Sequence, residues 1–238
     1  MNKLTILAIS SILILSACHD SDDTSITPPP PTPPAPQNYT VTVTNLTANQ
    51  VFSPISTLLH QASVSPWIVA EAASLPLETL AEAGDANSFS QVAGVSRVIV
   101  ASGPLVPGAT STQTIAITPS VGASTTDLQL SVLTMLVNTN DAFTGVANID
   151  LSDLAVGASV TIRSLAYDAG TEANSEAKGT IPGPADNGEG FNAAREDNNA
   201  VRVHQGVISQ DDGLTDSVLN ASHRFDNPVA RISISRVN

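Results

Sequence analysis

Two acidic segments carry the side chains best suited to metal chemistry. Residues 138–145 (NTNDAFTG) follow a predicted strand and contain Asp141. Residues 167–172 (YDAGTE) follow another predicted strand and contain Asp168 and Glu172. If the two segments are adjacent, three carboxylates meet, an unfavourable arrangement unless a cation neutralises them. Calcium prefers such oxygen ligands, so the pattern indicates a Ca²⁺ site. The alternative is that each residue is a solvated turn residue, because Asp and Asn favour turns.

Motifs of the common enzyme classes are absent from the sequence. We find no G-x-S-x-G, H-E-x-x-H, phosphate-binding P-loop, G-x-G-x-x-G or helix-loop-helix calcium motif. Ser175 and Lys178 match S-x-x-K, the motif of penicillin-recognising serine enzymes. They lie in a polar segment without a helical pattern or the partner motifs, so we expect this match to be fortuitous. The sequence therefore predicts that the protein is not an enzyme.

The histidines show no spacing typical of metal ligands. They are His19, His60, His204 and His223. His204 alternates with Val201 and Val203 in a predicted strand, which favours a solvent-facing or hydrogen-bonded structural role over a metal role. A deep cavity that held Glu78, His60 or His204 beside another titratable group would favour catalysis. A flat loop surface would favour binding.

The N-terminus has the pattern of a bacterial lipoprotein signal. Lys3 precedes an apolar run, residues 4–15, which is too short to span a bilayer. The run ends in LSAC, which resembles the lipobox whose cysteine becomes the lipidated first residue. We therefore expect residues 1–17 to be a signal peptide and Cys18 to be the lipid anchor. The alternative is an ordinary cysteine near a conventional cleavage site.

The residues after the cysteine predict where the protein is held. His19 rather than Asp follows the cysteine, which favours the outer membrane under enterobacterial sorting rules, on the periplasmic side or at the surface. Residues 18–38 are acidic and then rich in proline, with seven prolines between Pro28 and Pro36. Such a chain is extended and suits a tether. A docking motif for a polyproline-binding module is the alternative.

The remainder of the chain, residues 39–238, is predicted to form one all-β domain, an antiparallel β-sandwich with one short helix. Alternation of apolar and polar residues predicts strands at 39–45, 97–101, 112–118, 127–137, 159–166, 200–208 and 229–237. A helix is predicted at 74–83, with Leu77, Leu80 and Ala81 on one face. Glu78 and Glu82 are predicted on the other face, and Gly84 offers a stop.

Composition and charge limit the possible partners. The 238 residues include 22 acidic and 9 basic side chains, which gives a formal net charge of -13. This balance opposes general attraction to polyanions, so we expect no nucleic-acid partner. A single cysteine excludes a disulfide within the chain.

Several short motifs together resemble the spondin domain family. They are Phe52-Ser-Pro54, His60, Trp67, Ala73-Ser74, residues 77–82, Gly84-Asp85, residues 140–145 and, most specifically, residues 167–172. The resemblance extends from about Tyr39 to Val237. It implies a β-sandwich related to calcium-dependent membrane-binding domains, with Ca²⁺ held by Asp141, Asp168 and Glu172.

The sequence departs from the family pattern at two positions of that site. Ala142 stands where an aromatic residue often braces the loop, and Glu172 replaces an aspartate of the D-A-G-T-D motif. The longer Glu172 side chain predicts a looser site or bidentate binding. The acidic balance argues against binding to matrix or glycosaminoglycans.

Three functions are consistent with these observations. The first is a lipid-anchored adhesion or recognition module for a protein or glycan ligand, with calcium rigidifying its loops. The second is a hydrolase or sugar-processing enzyme of the cell envelope, which only the versatility of the fold supports. The third is a structural envelope lipoprotein. The sequence leaves the ligand, the oligomeric state and the roles of His60, Trp67 and His204 open.

Overall fold

The computed structural model describes residues 35–118 and 127–238. The predicted signal peptide, Cys18 and most of the predicted tether lie outside the described residues. Strand β1 begins at Gln37, slightly before the predicted start of the folded domain at residue 39. Among the described residues, no helix has both the length and the apolar character needed to cross a membrane.

The first sheet contains four antiparallel strands in the order β4-β1-β10-β7. These strands are β1 (Gln37–Asn45), β4 (Thr110–Ile117), β7 (Ser159–Ser164) and β10 (Ala230–Arg236). In β1, Tyr39, Val41 and Val43 are buried while the intervening threonines are only half-buried. The alternation seen in the sequence therefore corresponds to a sheet with one covered face.

The second sheet contains six antiparallel strands in the order β3-β2-β5-β6-β8-β9. They are β2 (Ser56–Gln61), β3 (Val95–Val100), β5 (Leu128–Met135), β6 (Ala142–Asp150), β8 (Ala166–Asp168) and β9 (Arg202–Val203). The antiparallel β-sandwich predicted from the sequence is confirmed.

The middle of the second sheet, strands β2, β5 and β6, is covered on both faces. Leu59 and Val132 belong to the core between the two sheets, together with Val41 and Ile232 of the first sheet. The residues adjacent to them in sequence, such as Leu58 beside Leu59, point to the opposite face and belong to a second core under the helix. Buried on both faces, β2 and the first half of β6 lack a period of two and were not predicted, whereas β5, also covered on both faces, lies within the predicted strand 127–137.

Helix α1 (Leu75–Ala83) confirms the predicted helix, with clear signals at both ends. The Ser74 side chain accepts a hydrogen bond from the Leu77 amide, which caps the first turn. Gly84 has φ 70° and donates its N–H to the Leu80 carbonyl. A Cβ at this glycine would lie 2.6 Å from the Ser53 Cβ, so the turn requires glycine.

The predicted solvent face of α1 is wrong, because both glutamates are buried. Glu78 is 3% exposed and Glu82 is 1% exposed. Arg195 forms an ion pair with Glu78, and the Asn192 amide donates to Glu82 Oε2 over 2.9 Å. A segment distant in sequence thus covers this face, which periodicity within the helix does not reveal.

Two other predictions also need correction. Residues 200–208 were predicted as one strand, but only Arg202–Val203 pair as β9. Residues 142–145, predicted as loop, are the first residues of β6.

Candidate metal centre and neighbouring cavity

Asp141 and Asp168 lie at the same edge of the second sheet. Asp141 immediately precedes β6, and Asp168 is the last residue of β8. The register pairs Ala142 with Asp168, and the Ala169 amide donates to the Asp141 carbonyl over 3.3 Å. The two acidic segments are therefore neighbours.

The Asp141 carboxylate organises the chain that follows β8. Its Oδ2 accepts hydrogen bonds from the Thr171 amide at 2.8 Å, the Thr171 hydroxyl at 3.2 Å and the Glu172 amide at 3.1 Å. Its Oδ1 is buried and has no hydrogen-bond partner among the described residues. Burial, and next the charge of Asp168, raise the pKa of Asp141 to about 7. The side chain is thus a firm anchor that lacks a counter-charge.

Asp168, in contrast, is already neutralised. Its Oδ1 accepts from the Gly170 amide at 2.7 Å, and its Oδ2 accepts from Asn174 at 2.6 Å and from Arg202 at 3.0 Å. Both carboxylate oxygens therefore have protein donors, one of them a full positive charge.

Glu172 and Glu82 complete the acidic cluster. Glu172 is 7% exposed, and its pKa is raised to about 8 by burial, then by the charge of Glu82 and further by Asp141 and Glu189. Glu82 comes from α1, and its buried Oε1 has no partner in the described part of the chain. Glu82 is not predicted as a site residue, because the periodicity of the helix places it on the solvent face.

The cluster fits a cation only in part. Within residues 35–118 and 127–238, no group of three or more His, Cys, Asp or Glu side chains is arranged to hold a metal ion. However, Asp141 Oδ1 and Glu82 Oε1 are buried acceptors without a hydrogen-bond donor in the described residues, and the charges of Glu82 and Asp141 both raise the pKa of Glu172. Of the three predicted ligands, Asp141 and Glu172 retain capacity for a cation, while Arg202 already satisfies Asp168.

The contacts of His60 and Trp67 indicate that both residues have structural roles. The His60 ring lies between the Gln61 carbonyl at 2.9 Å and the Ser131 hydroxyl at 2.7 Å. Trp67 packs edge-on against Phe143 at 5.3 Å and near Tyr167 at 5.8 Å. This aromatic group ties β6 to β8 close to the acidic residues.

A cavity of about 640 Å³ lies next to the acidic cluster, and Asp168 and Arg202 contribute to its lining. His204 and Glu176 also line it. His204 is 4% exposed, so the predicted solvent-facing position is wrong, while the hydrogen-bonded alternative agrees with the donation from the Gly206 amide to its Nδ1. Glu176 is not predicted as a site residue, because the one motif that contains it, the S-x-x-K match at Ser175 and Lys178, is fortuitous.

The chain is therefore a β-sandwich of two packed antiparallel sheets. Acidic residues at the strand ends and in the loops that follow form a candidate site at one edge. Comparison with protein families narrows this class, because the model of the Spondin_N family matches residues 35–180, more than half of the chain. The protein belongs to the spondin N-terminal domain family, which confirms the resemblance found in the sequence. The match ends before β9 and β10. A search of curated proteins found no match.

Proposed function

We propose that this protein is a non-catalytic recognition or adhesion module of the bacterial cell envelope, whose loops are ordered by Ca²⁺ for a protein or glycan ligand. The observation that carries this proposal is the Asp141 carboxylate, which fixes Thr171 and Glu172 through Oδ2 while its buried Oδ1 has no partner among residues 35–118 and 127–238. An ion at this position would hold the two loops together.

Asp141 and Glu172 would hold the ion, whereas Asp168 on the adjacent strand end is already paired with Arg202. Calcium would supply the positive charge that these buried carboxylates lack, with backbone carbonyls and water as further oxygen ligands. Glu82 adds to the negative potential at Glu172. The protein's own contribution is to fix the carboxylates on two neighbouring strand ends.

The location of the domain is part of the same proposal. The lipobox at Cys18 supports a lipid anchor, and the proline-rich residues up to 38 support a spacer between membrane and domain. His19 supports sorting to the outer membrane, either periplasmic or surface-exposed. The net charge of -13 argues against a nucleic-acid partner.

Calcium titration of the purified full chain by isothermal calorimetry tests the proposal. We expect calcium binding in the wild type, loss of binding in Asp141→Asn and Glu172→Gln, and no change in the control Asp153→Asn, an exposed aspartate outside the cluster. Protein and glycan arrays probed with calcium and with chelator then test recognition. Calcium binding without any calcium-dependent ligand would favour a structural envelope lipoprotein instead.

One observation favours the second candidate, an envelope hydrolase or sugar-processing enzyme. His204 shares a cavity with a second titratable group, Glu176, whose pKa burial raises to about 7. A carboxyl with a raised pKa can serve as a general acid. Release of reducing sugar from neutral oligosaccharides by the wild type, and not by Glu176→Gln, would support this candidate and contradict the non-catalytic proposal.

A further inference from the structure

The cavity beside the acidic cluster has the size of a small-molecule site. Its volume of about 640 Å³ lies within the range of about 300–1,000 Å³ that is typical of such sites. Arg202 and Asp168 lie at one side, and the chain from Gln205 to Ile208 forms another part of the lining.

Glu176 is held in the cavity wall by fixed contacts. Its amide donates to Asn140 Oδ1 at 3.3 Å, its carbonyl accepts from Val218 at 2.8 Å, and its Oε1 accepts from the Ile208 amide at 3.3 Å. The residue has φ 47°, a left-handed conformation that is unfavourable for glutamate. Within the described part of the chain, Glu176 Oε2 has no partner, although the residue is 1% exposed. The surroundings therefore enforce a strained backbone and leave one polar atom free.

His204 supplies a second free polar atom, of opposite character. Its Nδ1 accepts the Gly206 amide at 3.0 Å, so the proton of the neutral ring lies on Nε2. This Nε2 is buried and has no partner among the described residues. The ring packs against Phe225, with centroids 5.3 Å apart. Glu176 and His204 both line the cavity, and because their free atoms are sealed from solvent, a ligand reaches them after a local side-chain shift.

The charges around the cavity favour a ligand without net charge. Arg202 is paired with Asp168 and Asp197, and Arg224 is paired with Asp212. An anionic ligand would find these cations already neutralised and would meet Glu176. A cationic ligand would likewise find the carboxylates of these pairs already neutralised, and it would meet the His204 N–H. A hydroxyl group both donates and accepts, so it suits Glu176 Oε2 and His204 Nε2 equally well.

We propose that this cavity binds a neutral saccharide unit, with Glu176 Oε2 and His204 Nε2–H as its polar anchors. The inference rests on the proposed recognition function and narrows its ligand to a glycan. Hydroxyls of the sugar pair with both free atoms, while Val207 and Ile208 add apolar contact on the lining.

The saccharide site is connected to the candidate metal centre. Asn140, which fixes the Glu176 amide, directly precedes Asp141, and its Nδ2 donates to the Thr180 hydroxyl at 2.9 Å. Asp168 lies at the candidate metal centre and also lines the cavity. Ordering of the Asp141 loop by calcium therefore orders one wall of the cavity.

The test is saturation-transfer NMR and calorimetry on the full chain with maltose, cellobiose, lactose and chitobiose as neutral probes. Glucuronic acid and glucosamine serve as anionic and cationic probes. We expect at least one neutral disaccharide to bind, with affinity about ten-fold or more weaker in Glu176→Gln and in His204→Gln.

Matched variants separate loss of the site from loss of the fold. Glu71→Gln and His223→Gln change residues that do not line this cavity. His223 also accepts a backbone N–H through Nδ1, from Asn220 at 3.2 Å, so it matches the local bonding of His204. We expect both controls to bind like the wild type. If the buried variants unfold, Gln205→Ala, an exposed substitution on the lining, provides the comparison and should also weaken binding.

Two outcomes would overturn the inference. One is that no neutral disaccharide binds, and the other is that binding is unchanged in the Glu176, His204 and Gln205 variants. Calcium binding and calcium-dependent recognition of a protein would survive either result, so failure of the saccharide site is distinguishable from failure of the proposed function. Loss of both would reject the recognition module itself.

Discussion

Asp141 combines a firmly bonded oxygen with a buried, unpaired one, and Glu172 lies beside it with a raised pKa. Without a bound cation, these two carboxyl groups must either take up protons or remain charged in a buried position. This residue pair therefore links metal binding, pH and stability in one place.

The first prediction concerns pH. A carboxyl whose pKa is raised on folding keeps its proton in the folded chain after the unfolded chain has lost it, so stability declines as pH rises toward the folded pKa. The values are about 7 for Asp141 and Glu176 and about 8 for Glu172. With chelator present, we expect the melting temperature to fall between about pH 6.5 and about pH 8.5.

The histidines define the lower end of this window. Burial lowers the pKa of His60, His204 and His223, so these groups stabilise the fold as pH rises to about 6.5 and act in the opposite direction. Asp141→Asn should flatten the decline above that pH, and Asp153→Asn should leave it unchanged. A decline of equal slope in Asp141→Asn would contradict the assigned cause.

The second prediction concerns the ion pair between Arg202 and Asp168. Arg202→Gln leaves the nearly fully buried Asp168 carboxylate without its cation. We expect a loss of about 2 kcal/mol in the free energy of unfolding, less than for fully buried pairs because Arg202 is partly exposed. Denaturant unfolding in chelator measures it.

The more exposed pair Arg224–Asp212 is the matched control. Arg224→Gln should change the free energy of unfolding by less than about 1 kcal/mol. Equal losses in the two variants would show that Asp168 does not depend on Arg202.

At the scale of the elements, the sequence predicted strands with one covered face, and of the strands covered on both faces it predicted β5 but missed β2 and β6. Strands β1 and β10 alternate Val or Ile with Thr or Ser, and both were predicted. Strand β2 lies between two cores, so it shows no alternation. The burial of Glu82 depends on Asn192, which is distant in sequence, and no local pattern encodes that contact.

The residues of the candidate site, like the strands, could be predicted only in part from the sequence. The D-A-G-T-E motif identified Asp168 and Glu172, and the family resemblance connected them to Asp141. The sequence could not show that Arg202 satisfies Asp168 or that Glu176 and His204 share a cavity, because these contacts depend on how residues 174–224 fold over the sheet edge.

The third prediction concerns the turn after β8. Gly170 has φ 72°, and a Cβ there would lie 2.5 Å from the Ala200 carbonyl oxygen. Gly170→Ala should therefore destabilise the fold by about 3 kcal/mol and weaken calcium binding. Gly157 has φ 80° but nothing within 4 Å of the added Cβ, so Gly157→Ala should cost only about 1 kcal/mol. Similar losses in both variants, measured by denaturant unfolding, would contradict the close approach to Ala200.

At the scale of the whole molecule, the proposal joins a lipid anchor, a proline-rich spacer and a β-sandwich whose loop edge faces a ligand. The family assignment rests on residues 35–180. The anchor rests on the N-terminal sequence, so it needs a test of its own.

The fourth prediction addresses the anchor. Expressed in a Gram-negative host, the wild type should incorporate labelled palmitate and fractionate with the outer membrane, because Cys18 would be lipidated after signal cleavage. Cys18→Ser should lose the label and the membrane association. An unlabelled wild type cleaved elsewhere would contradict the lipoprotein proposal.

The most direct test of the central claim is thermal unfolding of the full chain at about pH 8 with calcium, with magnesium and with chelator. Asp141, whose pKa is about 7, is charged at this pH. Calcium alone should raise the melting temperature of the wild type, by about 5 °C or more at saturating concentration. Asp141→Asn should melt at or above the wild type in chelator, because it removes an uncompensated charge, and below the wild type in calcium. Equal melting temperatures in all three conditions, or an equal response in Asp141→Asn, would contradict a calcium site at Asp141.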